Sequence, residues 1–108
     1  MEFRGWRRTV PVFAALGDKT RLSLLTRLTR EPPCSIARLT KGSRLTRQAI
    51  TKHLRVLQGA GLVRGVRCGR EMRFDLEPEP LDEARRTLDE ISRQWDVALG
   101  KLKRFVEG

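Results

Sequence analysis

The sequence predicts a single mainly α-helical domain (α+β) that carries a two-stranded β-hairpin, and three observations predict it. Apolar residues recur at helical spacing in separate segments between residues 19 and 59. Two short runs flank a glycine near residue 69, and a sustained three-four alternation of apolar positions fills the last quarter of the chain. The length of 108 residues fits one domain, residues 1–108. With 39% hydrophobic and 33% charged residues the chain is too apolar for disorder, and no apolar run is long enough for a membrane span.

The first helix is expected over 19–31. Asp18 is suited to cap it, because a carboxylate accepts from the free N–H groups of a first turn and sits at the positive end of the helix dipole. Leu22, Leu25 and Leu28 supply the apolar spacing, and prolines 32 and 33 stop the run. A short helix follows over 34–42, closed by the turn signal Gly42-Ser43. Thr46 then caps a helix over 46–59, and Leu45 before the cap is placed to pack on Ile50 as a hydrophobic staple. Ile50, Leu54 and Leu57 form its inward stripe, while its other face is polar and basic.

The segment 62–76 reads as a hairpin, with Leu62 to Arg67 and Met72 to Leu76 joined through Cys68-Gly69-Arg70-Glu71. A helix over 79–106 ends the chain, with apolar residues at Leu81, Ala84, Leu88, Ile91, Trp95, Ala98, Leu102 and Phe105. That alternation is a heptad seam, and from Leu81 to Phe105 it spans roughly 37 Å, more than a domain this small covers alone. A partner chain is expected to cover it, and Phe13, in an apolar N-terminal segment with Phe3, Trp6, Val12 and Leu16, is expected beside it. The competing expectation lays the same stripe on the domain's own body.

Charge points to the other partner. The net charge is +10, and it is unevenly spread: residues 1–54 carry +9, residues 55–76 carry +3 and residues 77–108 carry −2. A basic body with a nearly neutral tail suggests a polyanion on the first and a different task for the second. Enzyme chemistry finds no support, since the chain has no phosphate-cradling glycine loop, no histidine paired with a nucleophile and no converging carboxylates. Two distant cysteines, Cys34 and Cys68, do not make a disulfide framework. The basic N-terminus before Val10 to Leu16 imitates a signal peptide, but Pro11 and Gly17-Asp18 interrupt it without a cleavage pattern, so a cytoplasmic location is expected.

Helix, short helix, turn, helix and basic hairpin is the order of a winged helix-turn-helix. In that arrangement the second helix of the pair lies in the major groove of double-stranded DNA, and the hairpin reaches phosphates or the neighbouring minor groove. Arg47 has the donors for guanine, and Gln48 the donor and acceptor for adenine. Thr46, Thr51 and Lys52 lie within a turn of them, and Arg55, Arg64, Arg67 and Arg70 suit the backbone. His53 reads either as a groove contact or as a partly buried residue that orients this helix. Cys34 reads as a redox switch or, more blandly, as a small apolar residue. A sequence-independent nucleoid or RNA-binding protein, or a winged-helix adaptor, shares parts of this pattern.

The run Phe13-Ala14-Ala15-Leu16-Gly17-Asp18-Lys19-Thr20-Arg21, with Thr46-Arg47-Gln48-Ala49-Ile50-Thr51-Lys52-His53-Leu54-Arg55-Val56-Leu57 and then Gly61-Leu62-Val63, resembles the ArsR family of bacterial winged-helix repressors. The resemblance spans about residues 10–76. It implies a homodimer built from N- and C-terminal helices that binds a nearly palindromic operator and blocks transcription. Many members sense metals through a cysteine pair that would fall here at Ser35 and Ala37, or through a set on the C-terminal helix that includes histidine. Neither Ser35 nor Ala37 is a zinc ligand, and the only histidine is His53, so no metal and no other cofactor is expected.

Overall fold

A computed structural model of the protein describes residues 6–31 and 33–108, so Phe3 and Pro32 lie outside the described residues. The chain order is α1 (Trp6–Leu16), α2 (Lys19–Arg30), β1 (Cys34–Ser35), α3 (Ile36–Thr40), α4 (Arg47–Gly59), β2 (Val63–Cys68), β3 (Glu71–Leu76) and α5 (Pro78–Glu107). The mainly α architecture with a hairpin is as expected, with one addition. Cys34 and Ser35 do not open a helix but pair antiparallel with Phe74 and Arg73, which makes the sheet three-stranded in the order β1-β3-β2. The short helix therefore starts at Ile36, capped by the Ser35 hydroxyl, which accepts from the Arg38 N–H at 3.1 Å.

The core gathers one face from each element. Val12 and Ala15 of α1, Leu24 and Leu28 of α2, Leu39 of α3, and Ile50, Leu54 and Leu57 of α4 are buried together with Leu62, Val63 and Phe74 from the wing base. In α2 the inward positions are Leu24 and Leu28, with Leu25 half-buried, while Leu22 is exposed; the stripe is rotated from the one its leucine spacing suggests. Asp18 caps α2 as expected, accepting from the Arg21 N–H at 3.0 Å. Helix α1 runs through Pro11, which lies on its exposed face and removes one backbone donor.

Two arginines bind the helices to one another. Arg27 of α2 donates to the carbonyls of Leu39 and Arg38, both at 2.8 Å, and so satisfies backbone acceptors at the end of a five-residue helix too short to be stable alone. Arg21 donates through Nε to the Ala15 carbonyl at 2.6 Å, tying the end of α1 to the start of α2. Together they fix the frame on which α3 and α4 stand.

Helix α5 behaves differently along its length. Pro78 opens it where no N–H is needed, and Ala84 is buried against the body, where α5 lies along α1. Beyond Ile91 no side chain is buried. Thirty residues make a rod of about 45 Å, and the protomer measures 67 × 29 × 20 Å. Among the described residues no helix is long and apolar enough to cross a membrane.

Candidate nucleic-acid interface

The Thr46 hydroxyl caps α4 by accepting from the Ala49 N–H at 3.1 Å, which makes Arg47 and Gln48 exposed first-turn residues. Leu45, one residue before the cap, packs on the core that holds Ile50, as a staple requires. Thr51 is half-buried and donates to the Arg47 carbonyl at 2.7 Å, so its hydroxyl is partly committed to the helix. Thr46, Arg47, Gln48, Ala49, Thr51, Lys52 and Arg55 line one shallow open concavity. The residues expected to read DNA from this helix are thus brought together on one face, opposite the buried stripe.

The electrostatics of that face are one-sided. From residue 32 to residue 70 the chain holds nine Lys and Arg and not one Asp or Glu. Two of the nine reach carboxylates outside the span, Arg38 to Glu31 at 3.3 Å and Arg64 to Glu77 at 3.1 Å. Among the described residues the others, Lys41, Arg44, Arg47, Lys52, Arg55, Arg67 and Arg70, form no ion pair. Arg44, exposed in the turn that leads into α4, extends the basic face beyond the residues that spacing alone selects. The acid-free run is the signal that finds it.

The wing presents its cations at the tip. Gly69 has φ +64° and is followed by Arg70, a two-residue connection of the II′ kind that needs glycine at its first position. Arg67 and Arg70 are exposed there, and Arg64, nearer the base, is partly neutralised by Glu77. Glu71 accepts from the Ser35 hydroxyl and from Arg73 and is held below the usual carboxylate range, chiefly by the Ser35 bond.

His53 turns toward the body, with Nδ1 3.4 Å from Nη1 of Arg21. Cys34 is fully buried, its thiol donates to the Glu31 carbonyl at 2.6 Å, and burial pushes its pKa up, aided by the nearby Glu31 carboxylate. A protonated, buried thiol is inert, so the small-apolar reading of Cys34 is the one the geometry favours. Among the described residues no three His, Cys, Asp or Glu side chains come together as a metal site.

Of the seam residues, Leu81, Leu88, Trp95, Ala98, Leu102 and Phe105 are exposed, with Phe105 at 84%, and Ile91 is half-buried. Ala84 is a correction: at 2% exposure it belongs to the protomer's own core, because α1 covers the proximal part of α5. Phe13 is half-buried against that same core. Leu99 and Val106, exposed and close to the seam, widen the distal apolar face.

A family model described as a helix-turn-helix domain matches residues 16–66, from the end of α1 into the wing. An uncharacterized HTH-type transcriptional regulator of Bacillus subtilis, YuzN, is 40% identical over 76 residues, covering 65% of this chain and 83% of its own. Among solved structures, an ArsR-like transcriptional regulator from Rhodococcus sp. RHA1 superposes with a TM-score of 0.80 at 40% identity over 93% of both chains. A further ArsR family transcriptional regulator gives a TM-score of 0.75 at 29% identity, over 83% of this chain and 92% of its own. Fold and kinship agree: the chain belongs to the ArsR family of winged helix-turn-helix transcriptional regulators, a DNA-binding and non-catalytic class.

Proposed function

We propose that the protein is a cytoplasmic homodimeric repressor that reads a nearly palindromic DNA operator. The observation that carries this reading is the exposed first turn of α4, where Arg47 and Gln48 stand beside Lys52 and Arg55, cations that form no ion pair among the described residues. Arg47 offers two parallel donors to the O6 and N7 of guanine, and Gln48 pairs its amide with adenine. Thr46, Thr51 and Lys52 hold the helix in the groove, and Arg55, Arg64, Arg67 and Arg70 contact phosphates, which position the protein without reading sequence.

The second subunit covers the distal face of α5, built from Leu88, Ile91, Trp95, Ala98, Leu102 and Phe105, with Leu81 and Phe13 at its margin. Charge along α5 favours an antiparallel pairing. Residues 78–90 carry five acids against two bases, and residues 101–107 carry three bases against one acid. An antiparallel partner sets the acidic start of one helix against the basic end of the other. No metal or other cofactor is part of the reading.

Selection of bound duplexes from a random pool tests it. The expected product is an inverted repeat whose half-sites lie about one helical turn, roughly 34–36 Å, apart. A pool that binds without converging would instead assign the charge to sequence-independent nucleic-acid binding, and absence of duplex binding would leave a protein-interaction role.

A further inference from the structure

We infer that Arg21 and His53 are positioning residues that seat the reading helix on the α1–α2 corner, and that this seat holds only while the imidazole is neutral. The inference rests on the proposed reading role of α4. Arg21 has a side chain only 17% exposed, and from α2 it reaches both α1 and α4. Its Nε and Nη2 donate to the carbonyls of Ala15 and Ala14 at 2.6 and 3.4 Å, at the end of α1. Its Nη1 lies 3.4 Å from Nδ1 of His53 in α4 and 3.9 Å from Oδ2 of Asp18.

A guanidinium only donates, so this contact is a hydrogen bond when Nδ1 of His53 accepts, which requires a neutral ring with its proton on Nε2. Protonation would set a second N–H against the guanidinium and replace a hydrogen bond with a repulsion between like charges. The charged groups that face the ring are Arg21, which opposes the proton, and Asp18, which attracts it. From α3 and β2, the other elements packed on α4, no charged side chain forms a hydrogen bond or ion pair with the ring among the described residues. The holds of Ile50, Leu54 and Leu57 on the body are apolar and non-directional. The polar contact from Arg21 therefore sets the rotation of α4, and with it the aim of Arg47 and Gln48. Because the same guanidinium grips α1, which lies along α5, the seat also joins the proposed dimer elements to the reading helix.

Nitrogen NMR on the full-length protein tests the seat without DNA, from about pH 8 to about pH 5. The expected result is an Nε2–H tautomer at the alkaline end, and amide shifts at residues 14, 15, 21 and 47–55 that follow the protonation of His53. Protonation of His53 without those shifts would overturn the inference. On a duplex recovered by selection, the ratio of its affinity to that of random DNA should fall about two- to tenfold as His53 protonates, the worth of one solvent-competing hydrogen bond. His53→Gln, which keeps an acceptor but does not titrate, should hold the ratio near its neutral value at every pH, and Arg21→Lys should lower it at neutral pH. A pH dependence that survives His53→Gln would assign the effect elsewhere and overturn the inference. If no duplex is recovered, the proposed function fails while the NMR experiment still decides the seat.

Discussion

Helices α4 and α5 carry the same kind of amphipathic pattern and meet different fates. In α4 the apolar stripe of Ile50, Leu54 and Leu57 is no more than 1% exposed, closed in by the other helices and the wing base. In α5 only Ala84 is buried, and Leu88, Trp95, Leu102 and Phe105 are each more than half exposed. Length explains the contrast. Helix α4 has 13 residues and fits across the body, whereas α5 is a rod of about 45 Å of which only the proximal part, at Ala84, is buried against the body. An apolar stripe shows that something covers it, and the covering need not come from the same chain.

The contrast can be broken at several points. Leu88→Glu combined with Ile91→Glu should have the largest effect, yielding monomers in analytical ultracentrifugation and losing tight duplex binding, while the protomer keeps its helical circular dichroism. A variant that remains associated would return the stripe to the protomer's own body. In α4 the cost of a comparable change should appear within the fold: Leu54→Ala should lower unfolding free energy by about 2–5 kcal/mol in denaturant titration. Leu102→Ala, in a dilute sample, should change it little.

Smaller effects separate the proposed reading face from the proposed backbone contacts. Arg47→Ala or Gln48→Ala should reduce discrimination between the selected duplex and its base-substituted variants by about 1–3 kcal/mol for each lost bidentate contact. Arg70→Ala should weaken specific and random duplexes alike and reduce the salt slope by about one ion. Arg64→Ala should do less, because Glu77 already offsets its charge.

The smallest expected effect concerns the cap of α2. Asp18 titrates below its ordinary value of 3.8, chiefly because its carboxylate accepts the Arg21 backbone N–H, with the Arg21 charge adding to it. A carboxyl with a lowered folded-state pKa stabilises the fold fully above the ordinary value and ceases to do so as pH falls through the lowered one. The melting-temperature difference between the native protein and Asp18→Asn, which caps without titrating, should therefore fall away as pH drops below about 4, beyond any change that His53 brings at higher pH.

Much of this molecule is legible in its sequence because the signals are local. The Thr46 cap, the Ile50-Leu54-Leu57 stripe and the glycine that turns the hairpin each act within a few residues, and all three stand where spacing places them. What escapes depends on distant partners. Cys34 becomes a strand only because Phe74, 40 residues on, offers an open sheet edge. Ala84 fits the heptad seam as well as Leu88 does, and only the position of α1 decides that one is covered at home. Arg21 and Arg27 act on backbone carbonyls, which leave no complementary side chain to detect. On the candidate DNA face the types of residue are legible, but the partial commitment of Thr51 to the helix and of Arg64 to Glu77 is visible only in three dimensions.

The acid-free run from residue 32 to residue 70 has a consequence for how salt acts on this protein. Crowded cations repel one another, so added salt should screen that repulsion and raise the melting temperature of the free regulator. The same ions compete for phosphates, so they should withdraw the extra stability that bound DNA lends to the fold. Free and bound forms should therefore drift in opposite directions as ionic strength rises, and their melting curves should converge where DNA no longer holds the protein.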